Sequence, residues 1–156
     1  MFVGDEMRLD VGFAVARERL ARLSESGALF EPSEDAYAPG LTRVGMPGLS
    51  KLVRVQAREL SWTDTTAGLA LRWEASGPSG GLFPVLDADL RLAPDGDGSV
   101  LRLAGAYRPP LGPLGQALDR ALLHRVATAT VRSFLARVAA QLTGHPVANG
   151  AGSPKA

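Results

Sequence analysis

Cysteine is missing altogether, which excludes disulfides, thiol chemistry and zinc sites built on thiolates. Histidine is nearly missing too, with only His124 and His145 in 156 residues. A metal site would need His124 beside carboxylates such as Glu59 or Asp87. No ligand spacing supports one, so neither a metal nor a cofactor is expected. An excess of one charge is also lacking. The 17 Lys and Arg against 16 Asp and Glu leave +1, with no electrostatic footprint for nucleic acid or an anionic membrane. Lysine occurs only at Lys51 and Lys155, a compositional preference for Arg that carries no function by itself. No apolar run approaches the roughly 20 residues of a membrane span. Asp5, Glu6, Arg8 and Asp10 interrupt the apolar core that a signal peptide would need. These absences point to a cytoplasmic protein without stable membrane insertion.

What is present is ordinary for a globular domain: 46% hydrophobic and 21% charged residues in a chain long enough for one core. Residues 7–15 alternate apolar with charged or small, the period of a half-buried strand. Residues 16–24 place Leu20 and Leu23 on one side and Arg17, Arg19 and Arg22 elsewhere, as a short helix does. A second brief turn is expected within 28–37. From Gly40 to Pro110 the period is two: a weak strand at 41–46, then strands at 51–60, 68–75, 83–93 and 100–107. Gly- and Pro-rich turns at 46–48, 76–81 and 94–98 separate them, so consecutive strands form hairpins in an antiparallel meander with one wet face.

The period then changes. Gly112 and Pro113 suit a helix N-cap and first turn, and Thr143-Gly144 before Pro146 suits its stop. About thirty residues at 1.5 Å each span roughly 45 Å, more than the width of a domain this size. The sheet must therefore curve around the helix. Residues 143–156, rich in Gly, Ala and Pro, read as a disordered tail behind a domain covering 1–142.

This order, together with the stretch Tyr107-Arg-Pro-Pro-Leu-Gly-Pro-Leu-Gly-Gln-Ala-Leu-Asp-Arg-Ala-Leu-Leu-His124 and Ala129-Thr-Val-Arg-Ser-Phe-Leu135, resembles the START-like (SRPBCC) superfamily. That group holds polyketide cyclases, lipid-transfer domains and pollen-allergen-type proteins, and its small bacterial members commonly begin their terminal helix in this style. The resemblance implies an α+β helix-grip fold: a curved antiparallel sheet of about six or seven strands around a long C-terminal helix, with one or two short helices after the first strand. It also implies a hydrophobic cavity between helix and sheet. It carries over no catalytic motif, because the superfamily has no universal one.

The residues frame the same question. Ala57, Ala75, Ala88 and Gly105 share faces with larger apolar side chains. They either leave room for a ligand or let the helix pack close; the resemblance favours the first. Val55, Ala57, Leu71, Trp73, Leu90, Leu103, Tyr107 and Phe134 are then the expected lining. Glu59 follows the alternation of Val53, Val55 and Ala57, where burial would raise its pKa and suit it to acid–base work. Tyr107 ends the apolar face of the last strand. Arg120 and His124 fall on the inner face if the long helix is straight, and in solvent if it bends. No Gly-x-Ser-x-Gly elbow occurs, and the glycine-rich residues 77–81 join two strands rather than cradle a phosphate. Arg54, Arg58, Arg72, Arg91 and Arg102 fall on polar faces, suited to cross-strand ion pairs.

Three functions remain. The first expectation is a binding protein for a hydrophobic small molecule such as a lipid or polyketide. A cyclase or dehydratase using Glu59, Tyr107, Arg120 or His124 is the second. A protein-interaction module without ligand is the third. Oligomeric state is not legible in the sequence.

Overall fold

The computed structural model describes residues 1–29, 53–58, 60–75, 85–108 and 120–144. In chain order these form β1 (Phe2–Leu9), α1 (Phe13–Glu25), β2 (Val53–Ala57), β3 (Ser61–Trp62), β4 (Ala67–Ala75), β5 (Val85–Asp95), β6 (Gly98–Arg108) and α2 (Arg120–Thr143). Among the described residues the strands make one six-stranded antiparallel sheet in the order β1-β6-β5-β4-β2, with β3 also on β4. The sheet curves, and α2 closes one side of it in the helix-grip arrangement.

The turn chemistry holds at the hairpin marked at 94–98. Asp95 pairs with Gly98 across a two-residue loop. Gly96 takes φ +58° at the first central position while Asp97 stays out of the left-handed region, the pattern of a type II′ hairpin. At the other end of the chain, α2 stops at Thr143 and Gly144 turns left-handed at φ +74°, a helix C-terminus built on glycine. Arg19 of α1 donates from Nη1 to the Leu142 carbonyl at 2.6 Å, satisfying one of the last carbonyls of α2. The expected helix start at Gly112, the strand at 41–46 and the tail lie outside the described residues.

The first strand departs from expectation. It occupies Phe2–Leu9 rather than 7–15, and Phe13 already begins α1. Val11, Phe13 and Val15 continue the alternation of Met7 and Leu9 by coincidence. Phe13, Ala16, Leu20 and Leu23 also stand at helical spacing, and it is this pattern that reaches the core, with Ala16 and Leu20 fully buried and Val15 exposed.

A second departure is one of register. Ala57 pairs with Leu71 and Ser61 with Gly68, so the register against β4 shifts by one residue between β2 and β3. The Arg58 N–H still reaches the Ala70 carbonyl at 3.0 Å. Glu59, which the alternation set with Val55 and Ala57, lies outside the described residues.

Register also fixes one glycine. Gly105 on β6 lies between Val3 of β1 and Ala88 of β5. A Cβ at Gly105 would stand 2.3 Å from the Asp87 carbonyl oxygen and 2.6 Å from the Ala88 Cβ. β5 and β6 therefore approach closely on the helix side, and only glycine permits it.

Candidate functional site

Extending the pairings across the sheet sorts the inner side chains into rows perpendicular to the strands. Tyr107, Leu86, Trp73 and Val55 form one row. Leu103, Leu90 and Leu69 form another. Between them runs Val3, Gly105, Ala88, Leu71 and Ala57, a row dominated by small residues. The rows of large side chains are buried, with Trp73, Tyr107 and Leu103 each 1% exposed, whereas Gly105 and Ala57 are only half-buried.

α2 supplies the opposing wall. Leu123, Val126, Ala127, Thr130, Val131, Phe134, Leu135, Val138, Ala139 and Leu142 are buried at i, i+3, i+4, i+7 spacing, the stripe of a core-facing helix. Trp73 meets Phe134 edge-on at 4.7 Å and 89°, joining sheet and helix through two of the expected lining residues. Val55, Leu71, Trp73, Leu90, Leu103, Tyr107 and Phe134 are all buried on these two surfaces, and Ala57 lies at their margin.

The polar candidates separate. Tyr107 is buried on the inner face; its hydroxyl donates to the Met1 Sδ at 3.2 Å, and burial pushes its pKa up. The backbones of Met1 and Tyr107 are also hydrogen-bonded. His124 is exposed, with its ring centroid 6.4 Å from that of Tyr107. Arg120, in the first turn of α2, is exposed as well. The structure thus brings Tyr107 and His124 together and leaves Arg120 in solvent. Among the described residues no group of three His, Asp or Glu could hold a metal ion, and no helix is long and apolar enough to cross a membrane.

Sequence reasoning missed Asp5. It takes an inward position of β1, between Val3 and Met7, and accepts a 2.7 Å hydrogen bond from Arg132 Nε of α2. That bond holds the Asp5 carboxyl below its ordinary pKa, against the opposing pull of desolvation. The signal was available: Asp5 is the one charged residue at the odd, apolar positions of β1.

The outer face carries an open trough of about 700 Å³, floored by Ala70, Ala104 and Ala106 and edged by Phe2, Arg58 and Asp89. Phe2 is 86% exposed at its rim. Beside it Asp87 accepts from Arg72 at 3.1 Å and from Arg108 at 2.8 Å, and Arg102 pairs with Glu6 at 2.8 Å. Arg72 and Arg102 thus form the cross-strand pairs expected of this face, while Arg91 stands opposite Arg102 in register.

No protein-family profile matches the chain, and no curated protein matches it. Solved structures do. A conserved protein from Geobacillus kaustophilus superposes with a TM-score of 0.56 at 12% identity, over 92% of this chain and 96% of that one. A hypothetical protein from Helicobacter pylori gives 0.49 at 12% identity over 88% of both chains. Ara h 8.0201 gives 0.46 at 12% identity, over 93% and 99%. Only the first is close enough to bear weight, and at that identity it speaks for architecture alone: the chain shares its fold with the Geobacillus protein along nearly the whole of both.

Proposed function

We propose that this protein encloses a hydrophobic small molecule, of lipid or polyketide type, between the inner face of the sheet and α2. The observation that carries this reading is the small-residue row of Gly105, Ala88 and Ala57 crossing an inner face otherwise built of large apolar side chains. A sheet that only had to pack against a helix would gain about 0.8 kcal/mol from each further buried methylene at Ala88 and Ala57, whereas Gly105 is held to glycine by the close approach of β5. The reading stands ahead of cyclase-type catalysis because Arg120 and His124, two of the candidate acid–base groups, are exposed.

Native mass spectrometry of gently purified protein is expected to show a co-purifying apolar molecule. An apolar fluorescent probe such as anilinonaphthalene sulfonate is expected to bind one to one, and Ala57→Leu to weaken it. A protein that carries no molecule and shows no saturable probe binding would overturn the proposal.

A second reading, a module acting through its outer sheet face, is favoured by the alanine-floored trough and the exposed Phe2. Ala104→Arg would abolish partner capture on this reading and leave probe binding intact. Unchanged partner capture would remove it.

A further inference from the structure

Resting on the proposal of an apolar ligand, we infer that Tyr107 is the polar anchor of the pocket and that the ligand carries an uncharged oxygen acceptor, such as a ketone or ester carbonyl, on an otherwise apolar body. Ser99, Tyr107 and Thr130 are each 3% exposed or less. Ser99 donates to the Val11 carbonyl and Thr130 to the Val126 carbonyl, both at 2.8 Å. Those two are fully served by strong acceptors within the fold. Tyr107 donates instead to a thioether, a weak acceptor.

Met1, which supplies that sulfur, is 45% exposed and has an unbranched, adaptable side chain. Displacing it exchanges a weak O–H···S contact for a full O–H···O=C hydrogen bond at little packing cost. The remaining members of the Tyr107 row, Leu86, Trp73 and Val55, are apolar, so along the row an anionic group would be desolvated without a partner; the Met1 ammonium nearby is already engaged by the Tyr107 carbonyl at 3.1 Å, and the His124 ring is exposed, 6.4 Å away between centroids. Burial keeps the Tyr107 phenol protonated, and so a donor, well above neutral pH.

The test compares 2-acetylnaphthalene, 2-ethylnaphthalene and 2-naphthoate, which share one ring system and differ in a carbonyl, a hydrocarbon and a carboxylate. Their dissociation constants are measured for the wild-type protein and for Tyr107→Phe. The wild-type preference for the ketone over the hydrocarbon should exceed that of Tyr107→Phe about five- to tenfold, the worth of one hydrogen bond, and naphthoate should bind more weakly than the ketone. The infrared carbonyl stretch of bound 2-acetylnaphthalene should lie at lower frequency in wild type than in hexane, a readout that does not depend on the variant folding.

Equal preferences in the two proteins, or a carbonyl stretch at its hexane position, would overturn the anchor while leaving the pocket standing. Naphthoate binding more tightly than the ketone would overturn the uncharged class. If none of the three bound to wild type, the pocket itself would fall, and the anchor with it.

Discussion

Replacing Gly105 with alanine tests the close approach of β5 and β6 at this position. The new Cβ would meet the Asp87 carbonyl oxygen at 2.3 Å, the Ala88 Cβ at 2.6 Å and the Ala88 Cα at 2.7 Å. All three neighbours are backbone or Cβ atoms, which no rotamer change can move aside, so the two strands must part. Overpacking of this kind costs about 1–3 kcal/mol, and contacts this short belong at the upper end. Loss of glycine's freedom in the unfolded chain returns about 0.4–1 kcal/mol. The net is a destabilisation of about 2 kcal/mol, or roughly 4–8 °C in Tm for a chain of this length.

Gly68 supplies the internal control. It too is paired on both sides within the sheet, but a Cβ there would meet the Ser61 Oγ at 3.6 Å and the Leu90 carbonyl oxygen at 4.0 Å, both ordinary contacts. Gly68→Ala should be neutral or stabilising by up to about 1 kcal/mol. Adding Ala88→Gly to Gly105→Ala removes one of the three short contacts and should recover part of the loss. Thermal and urea unfolding followed by circular dichroism read all four proteins. If Gly105→Ala proved as stable as wild type, or Gly68→Ala lost as much, the close approach of β5 and β6 would not be what reserves position 105 for glycine.

Asp5→Asn removes the partner of Arg132. Because the folded carboxyl is held below its ordinary value, its contribution is present above about pH 4 and fades as pH falls through the folded pKa. The pair is partly solvated, so the loss should be only about 0.2–1 kcal/mol near neutral pH, with wild type and variant converging in acid; a gap that persisted at pH 2 would contradict it. Arg19→Met frees the Leu142 carbonyl, and hydrogen exchange in the last turn of α2 should quicken while the middle of the helix is unchanged. Phe134→Ala should cost about 3–5 kcal/mol by urea unfolding, since it empties the junction with Trp73. In Trp62→Phe protein the emission should be wholly blue-shifted, because Trp62 is 60% exposed and Trp73 1%; residual red emission would place Trp73 in water.

What the sequence disclosed, and what it withheld, divides along one physical line. Residue type reveals period, and period reveals which side chains share a face: Leu69, Leu71 and Trp73, like Leu86, Ala88, Leu90 and Leu92, lie buried as their alternation requires. Period does not reveal an integer slip. The one-residue shift in register between β2 and β3 changes no residue's preference, so alternation alone does not announce it. Nor does angle alone reveal burial. Seven residues return a helix to within about 20° of its starting direction, so Arg120 shares the bearing of Ala127 and Phe134, and His124 that of Val131 and Val138. Those four are buried while Arg120 and His124 are exposed. A direction buries a side chain only where a surface opposes it, and the ring contact described for His124 is that of Tyr107. The groups that would distinguish a catalyst from a carrier fall at just these places, a strand slip and a helix end, where local pattern hands over to tertiary geometry. Tyr107, within an unbroken alternation, is the candidate that pattern and structure place on the same face, and it is therefore where the chemistry of the ligand should first be sought.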